Sequence, residues 1–243
     1  MKRIFAGKST LSVTVCWGIL ALVLRRQLYA TGVDVKGLLV ENHPLSIALT
    51  VLTIGVLIRN VLTARKKEGT PTYEELYSGS LTGAIGNVAA GAGILVTVLS
   101  ADSGMGSYLE SAWRMLGLAA PVCLLLAAIT RMLGKKPFFL LHVVVCLFFV
   151  LHIVTRYQLW SGHPHMQDYL FSLLGAMALM FFGFYSAALE AGCGNLPVMR
   201  GMGLAAIYLC AAELAHTSCP ALYLGGIVWV LTDLCSMRPM ETK

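Results

Sequence analysis

The chain has 243 residues, of which 57% are hydrophobic and only 12% are charged, with a formal net charge of +6. A soluble domain carries about 25% charged residues, so this chain cannot cover a globule with polar groups and must take lipid as its solvent. The positive charge is not gathered with aromatics into a patch, which excludes nucleic acid as a partner, and the seven cysteines include no CxxC pair and no spacing of a disulfide framework.

Eight apolar runs, each near the roughly 20 residues that a span needs, follow one another at 9–29, 44–64, 80–100, 111–133, 137–156, 168–189, 199–217 and 219–236. The first follows Lys2, Arg3 and Lys8, as the core of a secretory signal would. Arg25 and Arg26 stand where small residues would mark cleavage, so it reads as a retained span. The loop after it, "QLYATGVDVKGLLVENHP", is poor in charge and is expected to lie on the membrane surface or over the spans. In the loop 65–78, Thr72 and Glu75 have the spacing of a capping box for a short interfacial helix. A solvated connector is the simpler reading of that loop. The third run, "SGSLTGAIGNVAAGAGILV", carries Gly79 and Gly83 in a GxxxG pattern, continued by Gly86 with Asn87 beside it. Small residues let helices approach closely in lipid, and an asparagine can bond across the contact. This predicts a central helix or a dimer contact. Pro121 in the fourth run predicts a kink.

The last two runs are divided only by a turn at 218–220, and Glu213 and His216 weaken the seventh, so seven spans is the alternative count. Charge sets the orientation. With the N-terminus inside, Arg25, Arg26, Lys36, Arg114 and Arg156 fall outside and the remaining 13 of 18 basic residues inside. Both termini are therefore expected in the cytoplasm, which an even number of spans requires. One transmembrane domain over 1–243 is expected, with a weak four-plus-four repeat of 9–133 and 137–236. The repeat rests on the elements "RQL…HP" and "RYQL…HP", which follow the first and fifth runs.

Ionisable side chains inside apolar runs are the candidates for ligand or proton binding, because such groups usually face a cavity or a partner. In the fifth run His142, Cys146, His152 and Arg156 share one side, opposite leucine, valine and phenylalanine suited to lipid. Glu213 and His216, three apart, can touch each other, and Glu110 and Arg114 form a pair four apart. His152, Arg156, Glu213 and His216, with Glu110 and Arg114, suggest a charged vestibule at the outer half. The plainer reading is that those near span ends snorkel to the headgroups. His163, His165 and Asp168 invite a metal reading, but the loop favours an edge of the membrane. There Asp168 would cap the sixth span, and Tyr157, Trp160 and Tyr169 would form an aromatic belt. No metal site and no cofactor are expected. P-loop, GxSxG, HExxH and dinucleotide motifs are absent.

The stretches "LRRQLYATGVDVKGLLVENHPLSIAL" and "TRYQLWSGHPHMQDYLFSLLGAMALM" resemble a group of small polytopic membrane proteins of gut Clostridia. That group shows an Arg-rich end to the first span, a "TG…GL…HP" loop and a later Tyr-Arg/Trp/Pro element. The resemblance implies a membrane fold and supplies no activity and no catalytic residues. The expectation is an all-α bundle in a bacterial inner membrane that binds or passes a small solute through an intramembrane cavity lined by spans three, four, five and seven. Two alternatives stay open. One is a non-catalytic subunit or sensor that meets itself or a membrane partner through the Gly-rich span. The other is a lipid-modifying enzyme with Glu213 or a histidine as base.

Overall fold

The structure, a computed structural model, describes residues 2–32, 43–64, 73–77, 80–101, 108–160 and 169–237. Among these the chain forms nine helices: α1 (Lys2–Thr31), α2 (Pro44–Ala64), α3 (Tyr73–Leu76), α4 (Leu81–Leu99), α5 (Tyr108–Met132), α6 (Leu140–Trp160), α7 (Leu170–Glu190), α8 (Leu196–Glu213) and α9 (Pro220–Ser236). Seven are long and apolar enough to cross a membrane, and α9 is a shorter apolar helix. The protein is a multi-pass integral membrane protein.

Local chemistry sets the helix ends. Ser80 Oγ accepts from Gly83 N at the start of α4, and Asn195 Oδ1 accepts from Val198 N at the start of α8, each satisfying an orphan donor. Prolines sit in the first turns of α2, α8 and α9, where a missing N–H does no harm. Gly134 and Gly192 close α5 and α7 with φ of +68° and +86°, a conformation that any Cβ would strain. Pro121 lies inside α5, which continues through it.

Helices α4, α5, α6, α7, α8 and α9 form a closed ring in which each packs on the next and α9 returns to α4. The α1–α2 pair lies outside the ring against α8. Only 17% of α2's apolar window is buried, against 67% of α8's, which marks α2 as peripheral and α8 as central. The ring is filled by aromatic side chains. Phe148, Phe149, Phe182 and Trp229 are buried, and Phe182 meets Trp229 edge-on at 5.2 Å.

The Gly-rich face of α4 is used inside the molecule. A Cβ on Gly86 would strike Thr232 and one on Gly93 would strike the Ala221 carbonyl, whereas one on Gly91 would meet Pro121 at an ordinary 3.4 Å. Gly86 and Gly93 thus let α4 lie against α9, the close approach that small residues permit in lipid. Gly79 lies outside the described residues.

Two expectations change. Of the loop 65–78 the described part, residues 73–77, is not a solvated connector, since Tyr73, Leu76 and Tyr77 are buried against the end of the ring, and Thr72 lies outside the described residues. The phenylalanines of α6 do not all face lipid, since Phe148 and Phe149 join the core while Leu147, Val150 and Val154 point outward.

A charged chamber under the α3 turn

At the end of the ring where α3 sits, charged side chains from four helices converge. Arg131 comes from the last turn of α5, His142 from the first turn of α6, Glu190 from the end of α7 and Asp233 from the last turn of α9. All four are nearly inaccessible. Arg131 pairs with Asp233 through Nη1 and Oδ1. The Tyr77 hydroxyl donates to the other carboxylate oxygen of Asp233 at 2.9 Å. The Arg131 guanidinium also lies 4.2 Å from the Tyr77 ring centroid, a cation–π contact. His142 Nδ1 lies 2.9 Å from Glu190 Oε2, and its ring stacks on Trp229 with 7° between the planes.

Gly83 explains how Arg131 fits. A Cβ there would lie 2.8 Å from Arg131 Nε, so the glycine leaves the space that the guanidinium fills. These groups surround a cavity of about 10 Å³, close to the room one water needs. Tyr73, Tyr77, Ser186, Leu189 and Met199 complete its wall. Among the described residues the buried Tyr73 hydroxyl finds no hydrogen-bond partner there, nor does Arg131 Nε.

Burial pushes the Tyr73 hydroxyl well above its ordinary range. Arg131 pulls it down, while Glu190 and Asp233 push it up further. Burial and then the Asp233 carboxylate raise Tyr77 likewise, with Arg131 opposing. Both phenols therefore keep their protons and serve as neutral hydrogen-bonding groups at neutral pH.

The opposite end of the bundle holds a second set of contacts. Arg25 of α1 is 2% exposed and donates through Nη1 to Glu213 Oε2 at 2.5 Å and to the Ala212 carbonyl at 3.0 Å. Its guanidinium also packs over Phe171 at 4.9 Å. Glu213 is thus joined to Arg25 rather than to the side chain of His216, which stacks on Tyr29 at 4.2 Å. Arg156 donates to Cys219 Sγ at 2.9 Å, and the Ser172 and Tyr223 hydroxyls lie 2.5 Å apart. Glu110 accepts from Arg114 at 3.0 Å, and Arg114 also donates to the Ala101 carbonyl.

The candidates from the sequence therefore divide. His142 lines the chamber; Glu213, His216, His152, Arg156, Arg114 and Glu110 do not. His152 is buried between Trp113 and Phe148, and among the described residues its Nδ1 has no partner. Asn87 is fully buried on α4, and neither amide atom has a partner among the described residues. His163, His165 and Asp168 lie outside the described residues.

Sequence reasoning missed Arg131, Glu190 and Asp233 as site residues. Glu190 and Asp233 stand at the ends of apolar runs, and Arg131 was counted only as an inner basic residue. An acid that close to hydrocarbon needs a partner, and that signal was present for both.

Comparison with known proteins finds no match, whether among family models, curated proteins or solved structures.

Proposed function

We propose that this protein binds a small solute in the chamber under α3 and passes it across the bilayer. The supporting observation is the convergence of Arg131, His142, Glu190 and Asp233, from four separate helices, on one cavity. Ion pairs buried in apolar surroundings are weak stabilisers, because desolvation offsets most of the attraction. In membrane proteins such groups, turned toward the bundle interior, mark solute and proton pathways. Phe182 packs edge-on against Trp229, and buried Phe148 and Phe149 fill more of the ring. The α3 turn, held by Tyr77 to Asp233, is the element whose release opens the chamber to water.

Accessibility of Ser186 tests this. The residue lines the chamber and is buried. A thiol placed by Ser186→Cys should react slowly with a small polar thiol reagent in membranes, read at that site by mass spectrometry. Tyr77→Phe, which removes the hydrogen bond to Asp233, should speed the reaction at least about fivefold, the effect of roughly 1 kcal/mol on an opening equilibrium. A thiol that never reacts in either background would reduce the cluster to a structural lock.

A further inference from the structure

The charges in the chamber do not balance when His142 is neutral. Asp233 is matched by Arg131. Among the described residues Glu190 is matched only by the imidazole of His142, which is charged only when it holds a second proton. Among the described residues, the other titratable or charged groups that line the chamber with His142 are Tyr73 and Tyr77 from the α3 turn, Arg131 from α5, Glu190 from α7 and Asp233 from α9. None adds a second permanent positive charge. A lone negative charge inside the bundle is costly, and it is relieved either by a proton on the His142–Glu190 pair or by a cation beside the carboxylate.

A second observation points to a cation. The buried Tyr73 hydroxyl lines the cavity with no partner among the described residues, which leaves its oxygen available to a ligand. With Glu190 and Ser186 it presents oxygen donors, the ligands that hard cations prefer. Among the described residues no three His, Cys, Asp or Glu side chains converge as the ligand set of a metal centre, and one uncompensated charge calls for one positive charge. The space of about 10 Å³ admits an occupant the size of a water, not an organic solute.

We propose that the chamber binds one small monovalent cation, an alkali ion or ammonium, in exchange for a proton on the His142–Glu190 pair. This rests on reading the chamber as a solute site. The cation sits against Glu190, Tyr73 and Ser186. The proton that leaves His142 goes to solvent when the α3 turn opens.

The test uses the purified full chain in detergent. Sodium, potassium and ammonium chlorides are titrated against choline chloride at constant ionic strength. Two signals are read: tryptophan fluorescence, because Trp229 stacks on His142, and proton release into a weakly buffered, dye-containing solution. At least one of the three cations should give a saturable response with proton release, and choline none. Apparent affinity should rise about tenfold per pH unit wherever the proton competes. Glu190→Gln should abolish the response. Tyr73→Phe, which removes a single oxygen, should weaken affinity about tenfold with an unchanged melting temperature. The proposal is overturned by silence toward all three cations, by a response without proton release, or by unchanged binding in both variants. If Ser186→Cys still reacts while the cations are silent, the chamber stands as a solute site and only the cation is lost. If neither responds, the solute reading falls with it.

Discussion

Arg25 determines the role of Glu213. A carboxylate in an apolar run must find a partner or a cavity, and this one finds a guanidinium 188 positions earlier. Removing one member of a buried pair leaves the other charged and unsolvated, at about 3–5 kcal/mol. Glu213→Ala should therefore destabilise the protein by about that much, read as a lowered midpoint in detergent unfolding. Arg25→Met with Glu213→Leu should recover most of the loss, since a matched apolar pair needs no desolvation. A single variant as stable as the parent would show that Arg25 reaches water. Glu213 was legible as the acid most clearly within an apolar run. Its partner was not, because an arginine near a span end has an easier reading in snorkelling, and no local spacing links α1 to α8. The chamber was half legible for the same reason. His142 stood out inside its run, whereas Arg131, Glu190 and Asp233 looked like ordinary end residues until the helices were brought together.

The α4–α9 seam shows the same logic at the scale of an element. Of the GxxxG pair, Gly79 lies outside the described residues and Gly83 makes room for Arg131, whereas Gly86 and Gly93 further along α4 pack closely on a helix of the same chain, α9. Gly225 of α9 faces the Ala89 carbonyl, which an added Cβ would approach to 2.7 Å. The obstacle is backbone, so the helices must part. Gly225→Ala should cost about 1–3 kcal/mol by overpacking. Gly55 of α2 is the control, because a Cβ there meets nothing within 4 Å. Gly55→Ala should be neutral or stabilising by up to about 1 kcal/mol through helix propensity alone. Paired melting curves of the two variants check this, and equal losses would remove the distinction between seam and periphery. The α3 turn was harder to read. Its capping spacing was visible, but its burial depends on Tyr73 and Tyr77 meeting Arg131 of α5 and Asp233 of α9, two and six helices further along the chain.

Across the whole molecule, the apolar runs predicted the positions of the helices well, because hydrophobic length is a property of the sequence alone. The side of the membrane each end occupies depends on whether α9 counts as a crossing. Its 17 residues span about 26 Å, slightly less than the roughly 30 Å of hydrocarbon. It nevertheless runs antiparallel along α4, meeting Gly93 through Ala221 and Gly86 through Trp229 and Thr232. It also carries Asp233 to the same end as Arg131 and Glu190, and a helix that stopped within the bilayer would leave its terminal carbonyls without water. We propose that α9 is an eighth crossing beside the seven longer helices, and the basic residues then favour cytoplasmic termini. In a cysteine-free background expressed in bacterial cells, single thiols at Lys2 and Lys243 should resist a membrane-impermeant reagent until lysis. A thiol at Tyr108, 97% exposed at the other end of the bundle, should react in intact cells. Reaction of the two terminal thiols from opposite sides would mean that α9 turns back within the membrane, and the alignment with α4 would then need another cause.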